Sequence, residues 1–212
     1  MPAYKVAIIT GSTRSPRAGN TIVDYIASII ASRPDNGTDN LEFSNLQIAD
    51  FNLPVFDEPV VPAMVPAMAQ FTKEHSKKWS AAVGSYQAYI WVIPEYNGGL
   101  AGGTKNAVDF LYNELIGKPT AIISYGIKGG NRANEQLEFA LGTVIKAKIV
   151  DTKVILPFAE GNDVYSAIAG ILGEDSKKSW KENGKEDEIL KAVAEIKKVL
   201  EEPPKTEETP VA

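Results

Sequence analysis

The chain has no cysteine and a single histidine among its 212 residues. The first absence removes disulfides, thiol nucleophiles and thiolate metal sites together, and suits a reducing compartment. The second leaves one imidazole, His75 in FTKEHSKKW, among lysines on what the spacing makes the polar face of a helix, so a solvated residue is expected there. Without it no Ser-His couple can be built. No metal site and no catalytic side chain are expected; an enzyme so poor in nucleophiles takes its difficult chemistry from a bound cofactor.

Long hydrophobic runs and blocks of one charge are also missing. The apolar run in MPAYKVAIITGS is far too short to span a bilayer and no basic stretch precedes it, so a soluble, cytoplasmic protein with no membrane partner is expected. The 22 basic and 27 acidic residues are interspersed and leave a net charge of −5, which provides no stripe for nucleic acid. With 44% hydrophobic residues, the chain is long enough to bury a substantial core and short enough to be one domain.

What is present alternates. Residues 4–10 (YKVAIIT), 88–93 (AYIWVI), 120–125 (TAIISY) and 148–155 (KIVDTKVI) are short, β-branched, apolar runs of the kind buried on both faces, and 41–51 is a weaker fifth. Helical spacing occupies 21–32, 65–83, 104–115 and 131–145. This order predicts an α/β fold, a parallel sheet covered by helices on both sides, with ligands at the carboxyl ends of the strands. The four prolines of 50–66 predict a loop folded over the sheet edge. After Pro157 the pattern weakens until 187–200, an amphipathic closing helix, beyond which the Pro/Glu-rich 201–212 reads as a disordered tail; 1–200 is then the folded domain.

Three strand ends carry the chemistry. GSTRSPRAGN at 11–20 has the ingredients of a phosphate cradle: Gly11 to turn sharply, Ser12 and Thr13 as donors, the guanidinium groups of Arg14 and Arg17, and Asn20 as a cap for the following helix. It lacks GxxxxGK[ST] and GxGxxG, so a terminal monophosphate suits it better than a triphosphate or a dinucleotide. In PEYNGGLAGGTKN at 94–106, Glu95, Tyr96 and Asn97 offer an aromatic face and amides, and the glycines at 98, 99, 102 and 103 admit a flat ring, unless they only shape a turn. In SYGIKGGN at 124–131, the backbone N–H groups of Gly126, Gly129 and Gly130 are placed to meet a ring carbonyl, while Lys128 either joins them or is solvated.

GSTRSPRAGN, PEYNGG with KNAVD, and SYGIKGGNRANEQL, in that order and spacing over about residues 5–154, strongly resemble the NADPH-dependent FMN reductase family, which includes flavodoxin-like quinone, azo-dye and chromate reductases, and most of all its fungal-type quinone reductases. The resemblance implies a flavodoxin-like three-layer sandwich with five parallel strands in order 2-1-3-4-5, one FMN, NADPH or NADH as electron donor, and a homodimer or homotetramer. It implies ping-pong transfer of two electrons to a small acceptor, a quinone, azo dye or metal oxyanion. It places Ser12, Thr13, Arg14, Arg17 and Asn20 around the FMN phosphate, Pro94, Glu95, Tyr96 and Asn97 along the ribityl chain and ring, and Ser124, Gly126, Gly129 and Gly130 on the pyrimidine side. The chain departs from the pattern at Ala101-Gly102, where many members have Pro-Gly, and at Thr104, where many are apolar; both fall at the rim of the expected ring pocket. Two other readings stay open: a flavin reductase that releases FMN as a substrate, and a flavodoxin-type electron carrier, which usually has a Thr/Ser-rich phosphate loop and a more acidic surface.

Overall fold

A computed structural model describes residues 3–32, 39–66 and 70–202. The sheet begins with β1 (Tyr4–Thr10) and continues with β2 (Leu41–Gln47), β3 (Ala88–Tyr96), β4 (Gly99–Leu100), β5 (Pro119–Gly126), β6 (Lys148–Ile149) and β7 (Val154–Pro157). The helices are α1 (Gly19–Ser32), α2 (Glu74–Gly84), α3 (Gly102–Asp109), α4 (Asn131–Glu138), α5 (Asn162–Ile168), α6 (Glu174–Glu182) and α7 (Lys185–Glu201). The parallel order is β2-β1-β3-β5-β6, with β7 also on β5 and β4 folded back antiparallel on β3. Since β6 and β7 share one edge of β5, they are two pieces of a single fifth strand, and the order expected from the sequence holds.

Alternate residues of the central strands feed two cores. Val6, Ile8, Ile90, Val92 and Ile123 face α1 and α7, and Ala7, Ile9, Trp91, Ile93 and Ile122 face α2, α3 and α4. Burial on both sides explains why β1, β3 and β5 read as continuous apolar runs. In α1, Ile22, Val23, Ile26, Ile29 and Ile30 form the inward stripe. In α7 the inward residues are Ile189, Leu190, Val193 and Ile196, with an acidic first turn that complements the helix dipole.

Several boundaries differ from expectation, each for a local reason. The predicted strand 148–155 breaks where Thr152 gives its amide and hydroxyl to Glu195 of α7 (2.9 and 2.7 Å) instead of to a neighbouring strand. The predicted strand 41–51 ends at Gln47 in a 3₁₀ turn, Ile48–Phe51, closed by Asn52 at φ 44°. The predicted helix 65–83 starts only at Glu74, because Glu58 takes the amides of Thr72 and Lys73 (3.1 and 2.8 Å); residues 67–69 of that prediction lie outside the described ones. The predicted helix 104–115 runs from Gly102 to Asp109, after which the buried carboxylate of Glu114 takes the Tyr112 amide (3.0 Å) and the Ser80 hydroxyl. From Phe139 to Val144, α4 continues as a wider π-helical stretch. Helices α5 and α6 were not anticipated, and α7 reaches Glu201, so the expected tail starts inside a helix, and residues 203–212 lie outside the described ones. His75 is not simply solvated: its Nε2 lies 2.8 Å from Asp57 and its ring meets Phe110 edge-on. No helix among the described residues is long and apolar enough to cross a membrane.

Candidate functional site

The three glycine-bearing loops leave the carboxyl ends of β1, β3 and β5, which are hydrogen-bonded neighbours in the sheet. Parallel pairing with aligned registers therefore brings them to one edge of the molecule, as the topology requires. Arg14, Pro94, Glu95, Tyr96, Gly126 and Ile127 line one crevice there, of about 230 Å³, whose far wall is α5. Pockets that enclose most of a drug-sized ligand run to about 300–1,000 Å³. A planar ligand here keeps part of its surface open, which suits a group that must meet two substrates in turn.

The first loop is braced from below. Gly11 lies so close to β3 that a Cβ would sit 2.9 Å from Ile93 Cγ2 and 3.1 Å from the Val92 carbonyl. The Thr104 hydroxyl donates to the Gly11 carbonyl (2.8 Å) and the residue is wholly buried, so this departure from the family pattern is a brace beneath the loop rather than part of a pocket rim. Thr13 packs its side chain against Gly103, where a Cβ would collide with it. Ser12 is buried and hydrogen-bonded to the Tyr96 phenol (2.9 Å), joining the first and second loops.

The two arginines point apart. Arg14 Nη2 donates to the Ala167 carbonyl near the end of α5 (2.8 Å) and lines the crevice. Arg17 donates through Nε to Asn20 Oδ1 (3.1 Å) and through Nη2 to Gln47 Oε1 (2.7 Å), on the β2 side. Asn20 therefore does not cap α1: it lies inside the first turn, and its side-chain oxygen is held by Arg17. Gln47 gave no signal of its own; only the pairing of β2 beside β1 brings it to Arg17.

In the second loop, Asn97 and Gly98 both have positive φ (52° and 71°), and the two-residue strand β4 folds back on β3. This is the Asn-Gly hairpin turn, a sequence signal that was there to be read. The Glu95 carboxylate accepts from the amides of Arg132 and Ala133 (2.9 and 3.3 Å), where the unpaired N–H groups of the start of α4 favour an anion. Tyr96 is 41% exposed.

In the third loop, Gly129 and Gly130 adopt φ of 85° and 83°, conformations that suit glycine. A Cβ on Gly130 would lie 3.0 Å from Ser124 Cβ and 3.1 Å from the Tyr125 carbonyl. The Gly129 amide donates to the Gly126 carbonyl (3.1 Å) and so serves the turn itself. Ser124 is wholly buried and takes a 3.4 Å hydrogen bond from Asn134, placing it beneath the crevice rather than in its wall. Burial, reinforced by Tyr96, pushes the Tyr125 phenol above its usual range, against the opposite pull of Ser12, Arg14 and Arg17, so it stays protonated. Ala18, Tyr125, Phe158 and the α5 residues Val164, Ala167 and Ile168 complete the lining, and the α5 residues were missed because that helix was.

Comparisons with known proteins give the family and the fold. The profile of the family described as NADPH-dependent FMN reductase matches residues 4–161. The chain is 63% identical over 200 residues to the NAD(P)H-dependent FMN reductase ntnL of a Nectria species, covering 94% of this chain and 98% of that one. It is 26% identical to a quinone reductase of Pseudomonas putida, covering 82% and 84% of the two chains. Among solved structures, FerB, a flavoenzyme NAD(P)H:acceptor oxidoreductase of Paracoccus denitrificans, superposes with a TM-score of 0.64 at 22% identity, over 92% of this chain and 98% of the other, which shows the same fold.

Proposed function

The chain belongs to the NADPH-dependent FMN reductase family, and from that premise we propose that the crevice shared by the β1, β3 and β5 loops holds FMN and that electrons pass through it from NAD(P)H to a small acceptor. The observation that carries the reading is the convergence of Arg14, Tyr96 and Gly126, from three separate strand ends, on one open crevice. Bound FMN supplies the two-electron chemistry, which this chain's own side chains do not.

The residues fit the group. Arg14 can exchange a neutral carbonyl partner for a phosphate oxygen, a stronger, charge-assisted bond. Ser12, Thr13 and the start of α1 supply further donors at the same loop, and Arg17 and Asn20 hold its far side against β2. Pro94 and Tyr96 present a wall for a ring, with Asn97 in the turn that follows, Glu95 holds the β5 loop in place, and Gly126 lines the crevice without a side chain, while Gly129 and Gly130 form the tight turn behind it, packed on Ser124, Tyr125 and Ile155. Within this reading the acceptor is a quinone, azo dye or metal oxyanion, the protein works in the cytoplasm, and it assembles as a homodimer or homotetramer. An apolar face between α3 and α4, with a cavity of about 730 Å³ lined by Leu100, Tyr112, Phe139 and Val144, is of the kind that marks a protein–protein interface.

Two measurements test the reading. Arg14→Ala is expected to weaken FMN binding about 10- to 100-fold, the effect of losing hydrogen bonds to a charged group, as followed by flavin fluorescence quenching; unchanged affinity removes Arg14 from the phosphate. Anaerobic titration of the FMN-loaded, desalted protein with NADPH and then NADH is expected to bleach the flavin, with benzoquinone restoring the colour. Loss of flavin on desalting points to FMN as a released substrate, and retained flavin that neither nucleotide bleaches points to an electron carrier.

A further inference from the structure

Helix α5 is only seven residues long, and the first loop fixes its position. Arg14 holds the Ala167 carbonyl (2.8 Å), and Thr21 Oγ1 takes the Leu172 amide (2.9 Å). Gly170, at φ 89°, passes so close that a Cβ would lie 2.9 Å from Pro16 Cβ and 3.1 Å from the Arg17 amide. The wall of the crevice is thus set by the same loop that is read as binding the phosphate, and it cannot shift without disturbing it.

That wall brings a bulky apolar side chain to the mouth. Ile168 lines the crevice and is 56% exposed, and Ile127, from the β5 loop, lines it too and is 67% exposed. Large aliphatic side chains left this open cost free energy in water that a ring laid across them recovers. The charged groups in the lining are Arg14, committed in the proposed reading to the phosphate of FMN, and Glu95, whose carboxylate is engaged by the α4 amides. Lys128 follows Ile127 in the chain but is not among the lining residues. The mouth therefore rewards an uncharged ring and offers little to an anion that must shed its hydration shell.

We propose that Ile127 and Ile168 select the electron acceptor, forming an apolar jaw that favours uncharged ring compounds over anionic ones. This rests on the reading of the crevice as the flavin site. The reaction it selects is NAD(P)H + H⁺ + quinone → NAD(P)⁺ + hydroquinone, in which the quinone gains two electrons and two hydrogens and the nicotinamide loses a hydride.

The test compares 1,2-naphthoquinone with its 4-sulfonate, one ring system with and without a negative charge, on the FMN-loaded protein. The quantity read is the ratio of kcat/KM for the sulfonate to that for the parent, so that differences in driving force between the two cancel from one variant to the next. Ile168→Lys and Ile127→Lys, on separate elements and at exposed positions, are each expected to raise the ratio about 10-fold, while Ile168→Leu leaves it within about twofold. A ratio unchanged in the lysine variants, including an equal loss on both acceptors, overturns the proposal; if one variant fails to fold, the other decides. Flavin retention and bleaching by NADPH are recorded on the same samples. If wild type holds no flavin, or holds flavin that NADPH does not bleach, the underlying reading fails and the jaw with it. Flavin that bleaches normally beside an unmoved ratio refutes the jaw alone.

Discussion

Thr104→Val isolates one hydrogen bond beneath the first loop. The two side chains are nearly the same size, so the change removes the donor to the Gly11 carbonyl (2.8 Å) and leaves the volume of a fully buried position almost unchanged. A buried acceptor stripped of its partner costs about 1–3 kcal/mol, and the added methyl returns part of that, for a net loss of about 1–2 kcal/mol. For a chain of this size 1 kcal/mol moves the melting temperature by about 2–4 °C, so a fall of about 2–8 °C is expected in calorimetry of the flavin-free protein. The bond also fixes where the chain leaves β1, and FMN affinity should fall several-fold with it. Thr104→Ser keeps the hydroxyl and should keep the affinity, although the lost methyl lowers its stability. A valine variant that melts within about 1 °C of wild type and binds FMN as well would show that Thr104 only fills space.

Gly130→Ala forces an L side chain into φ 83° with its Cβ 3.1 Å from the Tyr125 carbonyl; a loss of roughly 2–4 kcal/mol is expected in urea denaturation, and one below about 1 kcal/mol would mean that the loop relaxes. Burial alone would raise the Glu58 carboxyl, but the hydroxyls of Ser76 and Thr72 and the amides of Lys73 and Thr72 at the start of α2 prevail and bring it from 4.5 to about 2. Because the folded value is the lower one, its stabilisation is complete above about pH 4.5 and is lost as the pH falls towards 2, so the melting-temperature gap between wild type and Glu58→Gln should narrow from about pH 6 to pH 3; a constant gap contradicts this. Phe139 is 62% exposed on the apolar face between α3 and α4, and Phe139→Glu is expected to convert a dimeric or tetrameric species to monomer in light scattering, an assignment that a monomeric wild type would end.

The strands that place the site were legible because they are buried on both faces. Although β1, β3 and β5 pair with distant strands, burial on both faces makes each an apolar run, and that pattern is carried locally. Helix α5 was not legible for the opposite reason: its bonds reach from Arg14 to Ala167 and from Thr21 to Leu172, each across more than 150 residues. Asn20 shows how a correct residue type misleads about its role. It has the chemistry of a helix cap, but Arg17 lies three residues away and takes its oxygen first. Likewise Thr104 read as a change at a pocket rim, and only the approach of Gly11 to β3 shows it to be buried beneath the loop.

The two charges that line the crevice each meet a helix end of opposite polarity. Glu95 sits at the start of α4, where unpaired N–H groups favour an anion, and Arg14 sits on a carbonyl near the end of α5, where a cation is favoured. The consequences for a ligand differ. The Glu95 carboxylate is held by two amides, and an anion brought beside it meets a like charge. Arg14 gives one guanidinium nitrogen to a neutral oxygen, which a phosphate oxygen can displace at a net gain. Within the proposed reading, a ligand with a charged end and an uncharged ring would be oriented by these charges, its anionic end at the first loop and its ring towards Tyr96 and Gly126. Ile127 and Ile168 both line that crevice and are exposed, Ile127 beside Gly126 and Ile168 beside the Ala167 carbonyl that Arg14 holds, so an uncharged ring laid across the mouth gains from both.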